Sequence, residues 1–300
     1  MLNIANERRL SQLLESSPDR LLAIATEVKI HYEPFELEST QKPFAKKPPK
    51  KTRPIDNPTG PLKDIQRAIN RNLLRPIVLP DHIFGAVRHR SIIGNAQHHQ
   101  GASLLVTLDI RQCFPSITNV HVYQVWSRVL GCAPPIAKLL TVLTTFKRRL
   151  PQGAPTSPFL ANLFIWSVDE EIRRQCQLRD VNYSTWIDDL AFSGKNARDM
   201  IQITVDELRK NGLRLSHSKI CVMGPRSTKT LTGTRLGRHG VRAPKKLCDR
   251  ARAGIHNLTL HRVPESEREL YLMRLKALVN HIERLCPKDA ANLKNNLNLL

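Results

Sequence analysis

Two adjacent carboxylates, Asp188 and Asp189, follow Tyr183-Ser184-Thr185-Trp186-Ile187 and precede Leu190-Ala191-Phe192. Apolar stretches on both sides of so short a polar interruption predict a tight β-hairpin with the acids at its tip. Adjacent carboxylates repel, so a fold that holds them together needs a counter-charge, and hard divalent cations prefer oxygen ligands. A third acid, Asp109, closes a separate strand-like run, Leu104-Leu105-Val106-Thr107-Leu108. Three carboxylates on two neighbouring strands could hold paired Mg²⁺ ions for phosphoryl or nucleotidyl transfer. Asp is also a common turn residue, and the pair alone leaves a solvated turn equally open.

The charge balance narrows the partners. The chain has 300 residues with 47 Lys and Arg against 26 Asp and Glu, a formal net charge of +21. Such a surplus costs self-repulsion unless a polyanion neutralises it, which points to nucleic acid. The last hundred residues hold 20 of the basic side chains and only 8 of the acids, so that third is the best candidate for gripping a phosphate backbone. A membrane partner is not expected. No run of 18 apolar residues occurs, and Met1 to Arg20 is mixed and charged rather than a signal peptide, so a soluble cytoplasmic protein is expected. The six cysteines show no C-x-x-C spacing, which argues against a zinc or redox motif and for reduced thiols.

The elements that must position the acids are partly legible. Residues 5–30 read as two short amphipathic helices broken at Ser17-Pro18-Asp19. Lys42 to Pro54 is rich in Pro and Lys and reads as extended, since proline disfavours helix at itself and at the residue before it. Leu62, Ile65, Ile69 and Leu73 share one helical face and predict a helix over 61–74. Residues 82–101 read as a loop-rich connector, 120–130 and 134–146 as helices. The run Leu150-Pro151-Gln152-Gly153-Ala154-Pro155-Thr156-Ser157-Pro158 reads as a turn entering a helix, with Ser157 as N-cap and Pro158 at the first helical position. Leu160, Leu163, Phe164, Val168 and Ile172 then supply an apolar stripe. Asn196 is expected to cap a helix that ends at Gly212. Residues 214–223 and 230–236 look strand-like, and the chain from Pro244 onward is helical and basic, with Leu270, Leu275, Leu278 and Ile282 on one helix. The pattern predicts an α+β core with an appended helical lobe.

Several of these segments occur in a telling order. Arg53-Pro54-Ile55 precedes Leu62-Lys63-Asp64-Ile65-Gln66. Then come Leu108-Asp109-Ile110 through Phe114-Pro115-Ser116-Ile117, the 150–158 run, Ala161-Asn162-Leu163, Asp188-Asp189 and Ser218-Lys219. The series resembles reverse transcriptases. Asn95-Ala96-Gln97-His98-His99 is similar to the Asn-Ala-x-x-His signature of the retron subfamily, and Leu231-Thr232-Gly233 stands where that subfamily carries Val-Thr-Gly.

The resemblance implies a right-hand polymerase. N-terminal helices and fingers would cover 1–105, a palm with an antiparallel sheet 106–237, and a short basic helical thumb 238–300. It implies that Asp109, Asp188 and Asp189, with the backbone of Ile110, ligate two Mg²⁺ ions. Lys51 and Arg53 would meet the incoming dNTP triphosphate, Phe114 would lie under its sugar and exclude a 2′-hydroxyl, and Gln152 and Gly153 would lie beneath the nascent base pair. Lys219 would stand near the leaving phosphates. Asn95, His99, Leu231, Thr232, Gly233, Arg235, Arg242, Lys245 and Lys246 would contact a structured RNA, whose A-form is read by shape and phosphates. No Cys or acid is spaced to make His98 and His99 a zinc site.

The implied activity is copying part of a cognate non-coding RNA (msr-msd) into single-stranded DNA, msDNA, from an internal guanosine 2′-hydroxyl. Host RNase H would remove template, and an effector protein would act alongside in anti-phage defence. Alternatives are a group II intron or diversity-generating reverse transcriptase, or an RNA-binding scaffold or antitoxin subunit. One departure stands out: the family has Tyr-Ala before the paired acids, whereas this chain has the bulkier Trp186-Ile187.

Overall fold

The computed structural model describes residues 1–38, 52–238 and 240–298. Helices α1 (Glu7–Leu14) and α2 (Pro18–Thr26) lead into an antiparallel hairpin of β1 (Tyr32–Glu38) and β2 (Thr52–Pro58). Ser17 caps α2 through its hydroxyl, which accepts from the Arg20 amide at 3.3 Å, so the Ser-Pro break falls where expected. Helix α3 (Gly60–Ala68) runs on as a π-helical turn to Leu74 and buries Leu62, Ile65, Ile69 and Leu73.

The segment 82–101 is not wholly loop: Ser91 caps a short helix α4 (Ile92–His98). After it come β3 (Leu105–Asp109), α5 (Cys113–Ser116), α6 (Asn119–Gln124), α7 (Pro134–Thr144), α8 (Ser157–Val168) and α9 (Glu170–Leu178). Next are β4 (Asn182–Trp186), β5 (Asp189–Ser193), α10 (Met200–Lys210) and β6 (Cys221–Met223). The chain closes with β7 (Lys229–Leu231), β8 (Thr234–Gly237), β9 (Gly240–Arg242), α11 (Lys245–Thr259), α12 (Glu265–Leu285) and α13 (Pro287–Asn298).

Four strands form one antiparallel sheet in the order β4-β5-β3-β6, and β7-β8-β9 form a second small sheet. Helix α8 is buried over most of its circumference, with Phe159, Leu160, Ala161, Leu163, Phe164 and Ile165 all inside. A helix apolar all round belongs to the interior rather than to a surface stripe. One large apolar core joins α1–α3 and α5–α10 with the main sheet, and a second runs from Ala243 to Leu297 in the C-terminal segment.

Two caps and one strand differ from expectation. Ser157 is the first residue of α8 rather than its cap, because its hydroxyl is committed to the Pro151 carbonyl at 2.7 Å. Asn196 lies before α10 and ties down the preceding loop by donating to the Arg179 carbonyl. Of 214–223, only Cys221–Met223 is strand, since Leu215 makes an isolated bridge with Ile110 and His217–Lys219 is a 3₁₀ turn.

Candidate active site

Strand register brings the acids together. On β3 and β5, Leu105 faces Ser193, Leu108 faces Leu190 and Asp109 faces Asp189. The β4–β5 connection is a two-residue turn, Ile187-Asp188, closed by the pair Trp186 and Asp189. Ile187 has φ +57°, a left-handed conformation unusual for a β-branched residue and usually met by glycine in such hairpins. The Ile110 amide donates to the Asp188 carbonyl at 2.8 Å, which ties the turn to the end of β3.

The electrostatics are those of crowded acids in a partly dry site. Burial raises the Asp188 pKa, and the Asp109 charge adds to the effect, against the lowering influence of Lys219 and Arg53. Burial, then Asp188 and Asp109, push Asp189 up to about 6. The thiol of Cys113 is pushed well up by burial and by the same two acids, Asp188 and Asp109. The Lys219 ammonium lies 2.6 Å from Asp109 Oδ2, and that hydrogen bond raises its own pKa.

Among the described residues no three His, Cys, Asp or Glu side chains converge closely enough to hold a metal ion as placed. Lys219 occupies one Asp109 oxygen. The donor set still fits a hard divalent cation in kind: three carboxylates, two of them directly opposed in register, whose repulsion a cation would relieve. Ile110 could contribute only through its carbonyl, since its side chain is in the core and its amide is used.

Several of the expected nucleotide-side residues are linked to the acids or to one another. Arg53 lies on exposed β2, and its charge is felt at Asp188. The Asp56 amide on β2 donates to the Gln152 carbonyl at 2.8 Å. Gly153 has φ +124°, and a Cβ there would lie 2.8 Å from Ile55 Cγ2, so this turn needs glycine to seat against β2. Phe114 on α5 is half-buried against the main core. Lys51 lies outside the described residues.

The structure corrects part of the expected RNA contact set. Asn95 and His99 are 1% and 0% exposed, so neither can touch RNA as placed. They are inside because neighbouring hydroxyls satisfy them: both His99 ring nitrogens lie 2.7 Å from serine oxygens, those of Ser193 and Ser184. Leu231 is likewise interior, packed with Leu105, Ala191 and Met223. Thr232 and Gly233, both with positive φ, form the β7–β8 turn. Arg235 is half-buried, and Arg242 is paired with the Asp289 carboxylate. Lys245 and Lys246 stand exposed in the first turn of α11.

Three supports of the site carried little signal in the sequence. Residues 82–85 run beside β4, with Thr185 donating to the His82 carbonyl at 2.7 Å and Phe84 to the Thr185 carbonyl at 2.8 Å. Gly85 presses so closely on the turn that a Cβ there would lie 2.7 Å from the Ile187 nitrogen. Asn162 on α8 donates to the Gly85 carbonyl at 2.7 Å. Asn162 stood in a motif, but Gly85 has no positive φ or turn pairing to mark it.

An antiparallel sheet presenting three acids at one end, joined by a separate β-hairpin that carries Arg53 and by a C-terminal helical lobe with its own apolar core, fits the architecture of a right-hand polymerase. Residues 44–236 match the reverse transcriptase (RNA-dependent DNA polymerase) family. The chain is 32% identical over 225 residues to the Ec86 retron reverse transcriptase of Escherichia coli, covering 74% of this chain and 70% of that one. It is 29% identical to the Se72 retron reverse transcriptase of Salmonella heidelberg, covering 63% of this chain and 48% of that one. In fold alone it is similar to telomerase from Candida albicans, solved with a fragment of telomeric RNA, with TM-score 0.50 and 9% identity over 88% of this chain and 56% of that one. The chain belongs to the reverse transcriptases and, within them, to the retron enzymes.

Proposed function

We propose that this chain binds a cognate structured non-coding RNA and copies part of it into single-stranded DNA, msDNA, starting from an internal guanosine 2′-hydroxyl. The observation that carries the reading is the register of Asp109 opposite Asp189 with Asp188 in the adjoining turn. Asp109, Asp188 and Asp189 would hold two Mg²⁺ ions, which when bound lower the primer hydroxyl's pKa and stabilise the leaving pyrophosphate. Arg53 orients the dNTP triphosphate, Phe114 packs under its sugar, and the Gln152-Gly153 turn supports the nascent pair. Lys219, which neutralises Asp109, is placed to shift toward the phosphates.

The fingers, palm and thumb are divided at 1–105, 106–237 and 238–300, a division supported by the separate apolar core that begins at Ala243. The cations of β7–β9 and the exposed Lys245 and Lys246 at the start of α11 form the RNA-facing surface. The protein works in the cytoplasm, where host RNase H removes template and an effector protein acts with it in anti-phage defence; no helix among the described residues is long and apolar enough to cross a membrane.

The test is to express the chain with its flanking non-coding DNA and look for a small RNase-resistant single-stranded DNA. Asp188→Asn and Asp189→Asn should each abolish that DNA while RNA binding persists. Persistence of the DNA in both variants would overturn the metal assignment.

A further inference from the structure

The two sequence signatures at 95–99 and 231–233 meet in the interior, and what joins them is a single file of polar groups. Ser193 Oγ lies 2.7 Å from His99 Nδ1, and His99 Nε2 lies 2.7 Å from Ser184 Oγ. Ser184 Oγ donates to Asn95 Oδ1 at 2.6 Å, and Asn95 Nδ2 donates to Thr232 Oγ1 at 3.4 Å. A serine hydroxyl has one proton. Since Ser184 gives its proton to Asn95, it must accept from His99, so Nε2 carries the imidazole proton and Nδ1 accepts from Ser193. Every bond then points one way, and reversing any one of them requires reversing all. Burial holds the imidazole neutral, with its pKa lowered to about 3, so it can donate and accept at once.

The ends of this file are unlike each other. Ser184 and Ser193 belong to β4 and β5, each four residues from one of the paired acids. Thr232 is at the tip of the β7–β8 hairpin, in the sheet that carries Lys229, Arg235 and Arg242. Between them lies α4, and Gln100, two residues past its end, also donates to the Gly237 carbonyl on β8. Leu231 already supplies an apolar contact to the main sheet. Apolar contacts are non-directional, and a satisfied polar group adds little net stability over an apolar filling of the same shape. What a satisfied file adds is a defined geometry.

We propose that Ser193, His99, Ser184, Asn95 and Thr232 are positioning residues. They hold the β7–β8 hairpin in fixed register with the catalytic hairpin, so that a template–primer resting on the basic β7–β9 sheet reaches Asp188 and Asp189 at a set distance. This rests on the reading of β7–β9 as an RNA-facing surface.

Two measurements test it. The first needs no substrate: ¹⁵N spectra of the imidazoles at neutral pH should show His99 as a fixed Nε2–H tautomer. A ring that is protonated, or that exchanges between tautomers, overturns the file. The second uses an RNA template annealed to a DNA primer, with kcat and KM for the template–primer measured separately. Thr232→Val keeps the side chain's shape but removes its oxygen, and should raise KM about tenfold with kcat at saturation within twofold of the parent. An amide at residue 99 discriminates further. Gln reaches the position of Nε2 and can restore the bond to Ser184, whereas Asn reaches only the position of Nδ1. His99→Gln should therefore lie within about threefold of the parent KM and His99→Asn should match Thr232→Val. Equal effects of Gln and Asn, an unmoved KM in Thr232→Val, or losses confined to kcat would each overturn the proposal. If the parent protein itself extends no primer, the polymerase reading fails, while the tautomer result still decides whether the file exists.

Discussion

Gly85→Ala is the sharpest perturbation of the Ile187-Asp188 turn that leaves every acid in place. A Cβ at 85 would lie 2.7 Å from the Ile187 nitrogen, 2.8 Å from Ile187 Cγ1 and 2.9 Å from the Trp186 carbonyl carbon. Two of these are backbone atoms and cannot rotate away. Ordinary contact begins at 3.4 Å, so the 82–85 segment or the turn must yield by about 0.7 Å. The segment is pinned by the two backbone bonds to Thr185 and by Asn162, so much of the shift passes to Ile187-Asp188. Overpacking of this kind costs about 1–3 kcal/mol of stability. A 1 Å displacement of a reacting group costs roughly a hundredfold in rate, so the expected loss in kcat is about 30-fold. The assay is primer extension at saturating template–primer and dNTP, with a thermal melt on the same sample. Gly94→Ala is the control: it lies in α4, where a new Cβ meets only ordinary contacts at 3.5 Å or more, and it should stabilise by about 0.4–1 kcal/mol. A Gly85→Ala enzyme that melts earlier yet keeps kcat within threefold would refute the claim that this loop positions the turn.

Other outcomes follow from particular contacts. RNA affinity should fall steeply with salt, log K declining linearly against log salt, because the +21 chain releases counterions on binding; a flat titration would sink the charge argument. His99 is held near pKa 3 by burial and then by the charge of His98, below its unfolded value of about 6.5. The folded state therefore refuses a proton that the unfolded state takes, so this group's stabilising share is full above pH 6.5 and is lost as pH falls toward 3. Urea unfolding of the parent and His99→Gln should show their stability gap shrinking by about 2 kcal/mol between pH 7.5 and pH 5, and a constant gap would contradict the assignment. Asp289 accepts from Arg242 Nε and from the Ala243 amide, both at 2.8 Å, so Asp289→Asn should cost roughly 1–2 kcal/mol. The loss should appear as faster hydrogen exchange in α11–α13, with β3 and β5 unaffected.

What could be read in the sequence was whatever has a local cause. The hairpin at 182–193 announces itself because two β-forming runs flank a two-residue interruption, and Asp109 because it ends an apolar run. Helix α3 follows from four residues at helical spacing. Burial of Asn95 and His99 could not be read this way. Polar residues near a basic stretch suggest a surface, and only the distant Ser184 and Ser193 make their interior placement affordable. Ser157 and Asn196 misled for a related reason: both are good capping types, but their side chains are drawn to the Pro151 and Arg179 carbonyls, which folding alone brings near.

The departure at Trp186-Ile187 and the unmarked Gly85 are two sides of one packing solution. A β-branched residue at φ +57° costs about 1–2 kcal/mol locally and is not expected in a tight hairpin turn. Its side chain also has to go somewhere, and Ile187 Cγ1 fills the space that a side chain at 85 would need. The missing Cβ of Gly85 thus accommodates both the turn's backbone and its larger side chain, while Asn162 fixes the glycine's carbonyl from the α8 side. Strain held by surroundings on both faces keeps a turn in one conformation. With Ile187→Gly the relief of this strain, about 1–2 kcal/mol, is offset by the lost packing of a half-buried side chain, so stability should change little while kcat falls, because the turn would then sample other geometries at Asp188. If the glycine variant gains both stability and rate, the strain at Ile187 is merely tolerated and plays no part in holding the acids.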